Sequence, residues 1–261
     1  MQQVVPVDDV VAVSVELVVR HPLNSPGPAL CQTNMNDPSF IVLFDIDGTL
    51  ISSSGAGLRA LEQAMAGLHG ISGAMNGISL AGRTDRSIVR DLVKAHQLPA
   101  GTATEDAILD SYLGHLPEQL TAAAKLLPGI RPLLDHLAGR PDIGVGLLTG
   151  NIRRGARAKL GHFDIFHHFA FGGFGDHHTD RDDVAREAIG ELRQRHGAGY
   201  PADRVLVIGD TPLDIRCARA VGARVLAVAT GIHSADELAP HAPDHLMADL
   251  GDTDAVVSLL A

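Results

Sequence analysis

FDIDGTLISSS, residues 44–54, sets Asp45 and Asp47 two apart, follows them with Gly48 and Thr49, and ends in three serines. The apolar run before it makes FIVLFDI (40–46) read as a buried strand that finishes in acid. Side chains alternate along an extended backbone, so Asp45 and Asp47 share one face. Gly48 then permits a tight turn whose exposed backbone N–H groups suit an anion. Such a pair taken alone is a polar turn as readily as a site. The rest of the chain must supply its partners.

Three more apolar runs have the same form. IGVGLLTG (143–150), RVLVIGD (204–210) and RVLAVATG (224–231) each end in Gly, Asp or Thr. Runs without alternation suit strands covered on both faces, as in a parallel sheet. Between them, IRPLLDHLA (130–138), DDVAREAIGELRQRH (182–196) and PLDIRCARAVGA (212–223) repeat apolar residues at helical spacing. Alternating strands and helices predict an α/β fold, a doubly wound parallel sheet, with a Rossmann-like core over 40–54 and 127–261. Ligands in that architecture sit beyond the carboxyl ends of the strands, where Asp45, Thr149 and Asp210 fall. Residues 55–126 break the rhythm. Helical patterns over 57–68, 84–98 and 105–124 have no strong strand between them, which predicts an inserted all-helical cap. Its hinges are expected near 54–57 and 127–129, and such an insertion would form a lid.

Composition narrows the function. The 261 residues carry a formal charge of −10, which disfavours general nucleic-acid or anionic-membrane binding. Cys31 and Cys217 are too few for a disulfide framework and point to a reducing compartment. No apolar run reaches the length of a membrane span, and the N-terminus has no basic region ahead of its valines, so the expectation is a cytoplasmic protein. Residues 1–39 read as an N-terminal extension. Its composition predicts a poorly ordered segment, although VVAVSVELVV within it could form a strand. The sequence leaves a homodimer open.

Two further stretches match the first. In LLTGN (147–151), Thr149 presents a hydroxyl at a strand end, Gly150 lets the backbone come close, and a helix follows near Asn151. A helix-capping threonine is the plainer reading. In VIGDTPLD (207–214), Asp210 ends a strand and Asp214 lies on the first turn of the next helix. Asp214 can equally be an acid placed for the helix dipole. Together these acids make an oxygen-rich site, which favours Mg²⁺. Arg83, in Gly82-Arg83-Thr84-Asp85, opens a helix of the insertion and is a candidate for an anionic substrate group, with Thr84 as the N-cap. His162, His167, His168, His177 and His178 cluster without zinc-ligand spacing. Gly172-Gly173-Phe174-Gly175 is not a dinucleotide fingerprint, and Cys217 is spaced for packing.

D-x-D-G-T-L followed by T-G-N and G-D-T-x-x-D, in this order, resembles the haloacid dehalogenase-like superfamily over about residues 40–250. LLPGIRPLLDHLA resembles the phosphoglycolate phosphatase-like branch with its helical C1 cap. The resemblance implies that Asp45 is a nucleophile forming an aspartyl-phosphate, and that Asp47 is the general acid and then base. It implies that Thr149, Gly150 and Asn151 hold the phosphoryl group. Mg²⁺ would sit on Asp45, Asp210 and the backbone carbonyl of Asp47, with Asp214 holding a metal-bound water or orienting its neighbours. One motif departs: the superfamily's usual later lysine is missing, since no Lys follows Lys159. Arg181 is the expected replacement and Arg186 the second choice. The implied activity is Mg²⁺-dependent hydrolysis of a small phosphorylated metabolite, phosphoglycolate first. A phosphomutase and a non-catalytic phospho-ligand binder are the competing readings. A dehalogenase would need neither Asp47 nor Asp210.

Overall fold

The computed structural model describes residues 38–260. All but the last two residues of the expected 1–39 extension, with its strand and Cys31, lie outside the described residues. Among the described residues eight strands run in chain order: β1 (Phe40–Phe44), β2 (Ile51–Ser52), β3 (Lys125–Leu126), β4 (Ile143–Leu148), β5 (Phe171–Gly173), β6 (Val205–Gly209), β7 (Arg224–Val228) and β8 (His245–Met247). The helices are α1 (Ala56–His69), α2 (Asp85–Ala95), α3 (Thr102–Ala123), α4 (Ile130–Ala138), α5 (Arg153–Gly161), α6 (Arg181–His196), α7 (Pro212–Ala220), α8 (Ala235–Leu238) and α9 (Thr253–Ser258).

Six strands form one parallel sheet in the order β5-β4-β1-β6-β7-β8. β1 is central, pairing Ile41 with Gly144 on one side and with Val205 on the other. After β1 the chain builds outward through β4 and β5, then returns to build β6, β7 and β8 on the opposite side. That reversal opens a crevice at the carboxyl end of β1. The alternation along β1 explains both layers. Val42 and Phe44 face a cluster with Leu133, Leu137 and Leu160, while Ile41 and Leu43 face Val184, Ala188 and Ile215. All four strand residues are fully buried, and each contributes roughly 1.5–3 kcal/mol.

The helical interruption has its own core. Ala60, Leu61 and Met65 of α1 pack with Ile88 and Leu92 of α2 and with Ile108, Tyr112 and Leu116 of α3. Ile152, at the N-terminal edge of α5, joins that cluster and ties it to the sheet layer. The chain leaves and re-enters through an antiparallel pair, β2 with β3, and the backbone N–H of Leu127 donates to the carbonyl of Leu50 at 3.1 Å. Among the described residues no helix is long and apolar enough to cross a membrane.

The re-entry point is tightly constrained. Gly129 has φ +77°, and a Cβ there would lie 2.0 Å from the carbonyl oxygen of Leu250. Both the backbone angle and the close approach exclude a side chain. Gly129→Ala is expected to cost more than about 2 kcal/mol. Thermal unfolding should then show a midpoint lowered by roughly 4 °C or more; an unchanged midpoint would refute this account of the re-entry turn.

Candidate active site

Asp45 and Asp210 follow directly on the last residues of β1 and β6, and Thr149 follows β4. Strand pairing therefore sets their spacing. One carboxylate oxygen from each of Asp45, Asp210 and Asp214 lies within 4.8 Å of the others, and all three residues are buried. Asp45 is pushed up to about 6, by burial first, against the pull of Arg181 and with repulsion from Asp214 and Asp47. Asp210 is pushed up to about 8 by burial and by repulsion from Asp214 and Asp45. Asp210 packs so tightly on the turn after β1 that a Cβ at Gly48, φ +84°, would lie 2.3 Å from its carboxylate. Thr49 donates to Asp210 at 3.1 Å.

Arg181, the first residue of α6, is the buried cation facing these acids. Its Nη2 lies 2.9 Å from Asp45 and 2.5 Å from Asp214, and it also donates to the carbonyl of Leu148 at 3.3 Å. Its Nη1 donates to the carbonyl of Gly82, in the helical insertion, at 3.2 Å. Arg186 is exposed and pairs with Asp183 outside the site. Asp214 gives its second carboxylate oxygen to the α7 capping box, accepting from the backbone N–H and the hydroxyl of Thr211. Both of its oxygens are thus engaged by protein. Asp45 and Asp210 instead line the open cavity. The donors are hard oxygens whose charges repel one another in a buried place, so the set fits a divalent cation. Asp45, Asp210 and a carbonyl of the β1 turn would hold it.

Asp47 heads a second network that sequence reasoning only partly foresaw. Its Oδ2 accepts from Lys159 Nζ at 2.5 Å and from Asn151 Nδ2 at 2.9 Å. Asn151 returns its Oδ1 to Lys159 at 2.5 Å and donates to Thr149 Oγ1 at 2.9 Å. Thr149 is fully buried behind the cavity wall, whereas Gly150 and Asn151 form part of that wall. Burial would raise Asp47, but the Lys159 charge and hydrogen bonds from Lys159, Asn151 and Ser53 outweigh it and hold Asp47 below its ordinary value. Lys159 was noted in the sequence only as the last lysine. The available signal was its place among Gly155, Ala156 and Leu160, on the inward face of α5.

The insertion is docked on this network. The backbone N–H of Asp85 donates to the carbonyl of Gly150 at 2.8 Å, and the Asp85 carboxylate accepts from the N–H of Ile152 at 2.9 Å. Thr84 caps α2, as expected. Arg83 reaches the cavity wall, but its guanidinium pairs with Asp91 at 2.7 Å and donates to the carbonyls of Ser79 and Ser87. Cys217 is buried, its thiol donates to the carbonyl of Asp214, and burial pushes it up to about 12. His178 pairs with Glu187 at 2.9 Å, and among the described residues the Asp45–Asp210–Asp214 group is the one arranged to hold a metal.

Residues 42–228 match the family model described as haloacid dehalogenase-like hydrolase, and the chain belongs to that family. Its curated relatives include proteins named phosphoglycolate phosphatase and one named 5′-nucleotidase. A phosphoglycolate phosphatase of Mesorhizobium japonicum is 26% identical over 194 residues, covering 73% of this chain and 83% of that protein. A 5′-nucleotidase of Pseudomonas aeruginosa is 28% identical over 226 residues, covering 80% and 91%. Among solved structures, a predicted phosphoglycolate phosphatase from Haemophilus somnus superposes with a TM-score of 0.64 at 18% identity, covering 86% of this chain and all of that one.

The Lys159–Asp47 contact makes a pH-dependent statement about stability. A carboxylate held below its ordinary value stabilises the fold above that ordinary value and loses the contribution as pH falls through its own. Lys159→Met should therefore destabilise the protein by about 1–3 kcal/mol near pH 7.5. The deficit should persist down to about pH 4 and shrink only as pH falls below Asp47's ordinary value of 3.8, and denaturant unfolding at pH 7.5 and pH 3 would reveal a constant deficit if the pair were inert.

Proposed function

We propose that the protein is a Mg²⁺-dependent phosphoric monoester hydrolase acting on a small phosphorylated metabolite through an aspartyl-phosphate. The observation that carries this reading is Arg181 Nη2 at 2.9 Å from Asp45, beside Asp210 and below a cavity that Asp45 and Asp47 both line. A nucleophilic carboxylate and a proton-carrying carboxylate then face one ligand. The names of its relatives nominate phosphoglycolate as the first substrate to try.

In the first step an Asp45 oxygen attacks phosphorus and the bond to the leaving oxygen breaks. Asp47 delivers a proton to that oxygen. It then takes one from the water that attacks phosphorus and releases Asp45. With Lys159 beside it Asp47 rests as a carboxylate, which suits water activation. An arriving phosphate dianion pushes it the other way, toward the protonated form that the first step needs. Arg181 holds Asp45 in position and keeps it ionised against burial. Backbone N–H groups at Gly150 and Asn151 would meet the phosphoryl oxygens, the second by giving up its 3.3 Å bond to Thr149 Oγ1, whereas the Gly48 N–H is already donated to the carbonyl of Ile51 at 2.8 Å. Mg²⁺ bound on Asp45, Asp210 and the Asp47 carbonyl would offset the repulsion between an anionic nucleophile and an anionic ester. Asp214 orients Arg181 and the start of α7.

Phosphate release should depend on Mg²⁺, stop with chelator, and fall by at least ~10³-fold in Asp45→Asn. Release that survives in Asp45→Asn would refute the covalent route. A second outcome follows from charge. Arg181 favours the Asp45 carboxylate, so its removal raises the Asp45 pKa. The acid limb of kcat/KM should therefore move to higher pH in Arg181→Ala, and by less in Arg181→Lys, which keeps the charge. An unmoved limb in a pH–rate series would separate Arg181 from Asp45.

A further inference from the structure

The cavity above Asp45 measures about 530 Å³, the size that takes a ligand of drug-like bulk. Three cations reach its wall, and all three are committed. Arg181 is bonded to Asp45 and Asp214, and Lys159 to Asp47 and Asn151. Arg83 is bonded to Asp91 and to two carbonyls of its own segment. The same wall carries four carboxylates, Asp45, Asp47, Asp85 and Asp210. A second anionic group on the substrate, beyond the phosphate, therefore meets acids and no free cation. Desolvating an unpartnered carboxylate there opposes binding.

The rest of the wall is apolar or neutral. Leu58, Leu61 and Ile88 come from the helical insertion, Leu80 and Ala81 from the loop before Arg83, and Ile232 from the turn after β7. Leu58 and Ile232 are 38% and 75% exposed, two of the four exposed large hydrophobic residues among those described, and both stand on this cavity. One is held by the insertion and the other by the sheet domain, and both line the ligand space. Ser52, Ser53, Ser54 and Ser79 add uncharged hydrogen-bonding groups. Exposed apolar side chains gathered on one cavity mark a surface that a ligand covers.

We propose that the substrate is a phosphomonoester of an uncharged alcohol with a hydrocarbon body, seated between Leu58 and Ile232, rather than a carboxylate-bearing phosphate such as phosphoglycolate. This rests on the phosphomonoesterase reading above and narrows its leaving group. Hydrolysis of such an ester consumes one water and yields the free alcohol and inorganic phosphate.

The test compares kcat/KM of the full chain with Mg²⁺ for n-hexyl phosphate, phosphoglycolate and adenosine 5′-monophosphate, in the native protein and in Leu58→Asp and Ile232→Asp. Ile232 is exposed enough that its substitution leaves folding intact, so that variant stays informative if Leu58→Asp is unstable. The expected result is a preference of at least tenfold for n-hexyl phosphate over both other esters, with the ratio to adenosine 5′-monophosphate falling at least fivefold in Ile232→Asp. Phosphoglycolate or adenosine 5′-monophosphate matching or exceeding n-hexyl phosphate overturns the proposal and leaves the phosphatase reading standing. A preference that neither variant changes overturns the seat between Leu58 and Ile232. Absence of phosphate release from all three esters removes the phosphatase reading itself, and the proposal with it.

Discussion

Three buried carboxylates within 4.8 Å of one another would not assemble without a compensating charge, and Arg181 is the cation that meets them. Each buried acid loses its hydration, and each repels the others. The result is visible in Asp45 and Asp210, both raised far above ordinary carboxylates. Arg181 offsets part of that cost, and its planar fork serves two acids and two carbonyls at once, which a single ammonium on a flexible stem would not reach together. Asp214 anchors this arrangement by spending one oxygen on Arg181 and the other on the α7 capping box. The start of α7, the start of α6 and the ends of β1 and β6 are thus held by one electrostatic knot.

The same knot fastens the helical insertion. Arg181 donates to Gly82, and three residues later the chain returns to the sheet domain through Asp85, which bonds to Gly150 and Ile152. The loop between Ser79 and Asp85 is therefore fixed by contacts to the very residues that face the cavity. Position in the insertion and position of the reacting groups are coupled through backbone hydrogen bonds. Lys159 lies on the other side of this junction. It is held well above its ordinary value by Asp47, Tyr112 and Asp85, which outweigh the opposing effect of burial, and two of those three come from the insertion.

Much of the fold was legible because the long strands are buried on both faces. β1, β4, β6 and β7 read as continuous apolar runs, and each ends within three residues of the expected position. β5 and β8 were not seen. They have three residues each, FGG and HLM, too short for any periodicity, and they become strands because β4 and β7 offer open edges. β2 and β3, two residues each, exist only through each other, with 72 residues of chain between them. The six helical patterns likewise ended within three residues of their expected bounds, since a 3.6-residue period over nine or more residues is a strong local signal.

The sequence alone determined which residues stand at the strand ends. Asp45, Thr149 and Asp210 follow directly from apolar runs that stop in polar residues, and D-x-D places two acids on one face of any extended chain. Only the tertiary structure decided what those residues touch. That Arg181 meets Asp45, 136 residues earlier in the chain, depends on α6 packing against β5 and β4 of the sheet. That Lys159 bonds to Asp47 depends on α5 turning its inward face toward the β1 turn. That Arg83 pairs with Asp91, eight residues further on in α2, is a contact within the insertion. Short-range pattern encodes secondary structure and exposure of a strand end. Charge pairing across the chain is a property of packing, because a salt bridge depends on distance in space and carries no period in sequence.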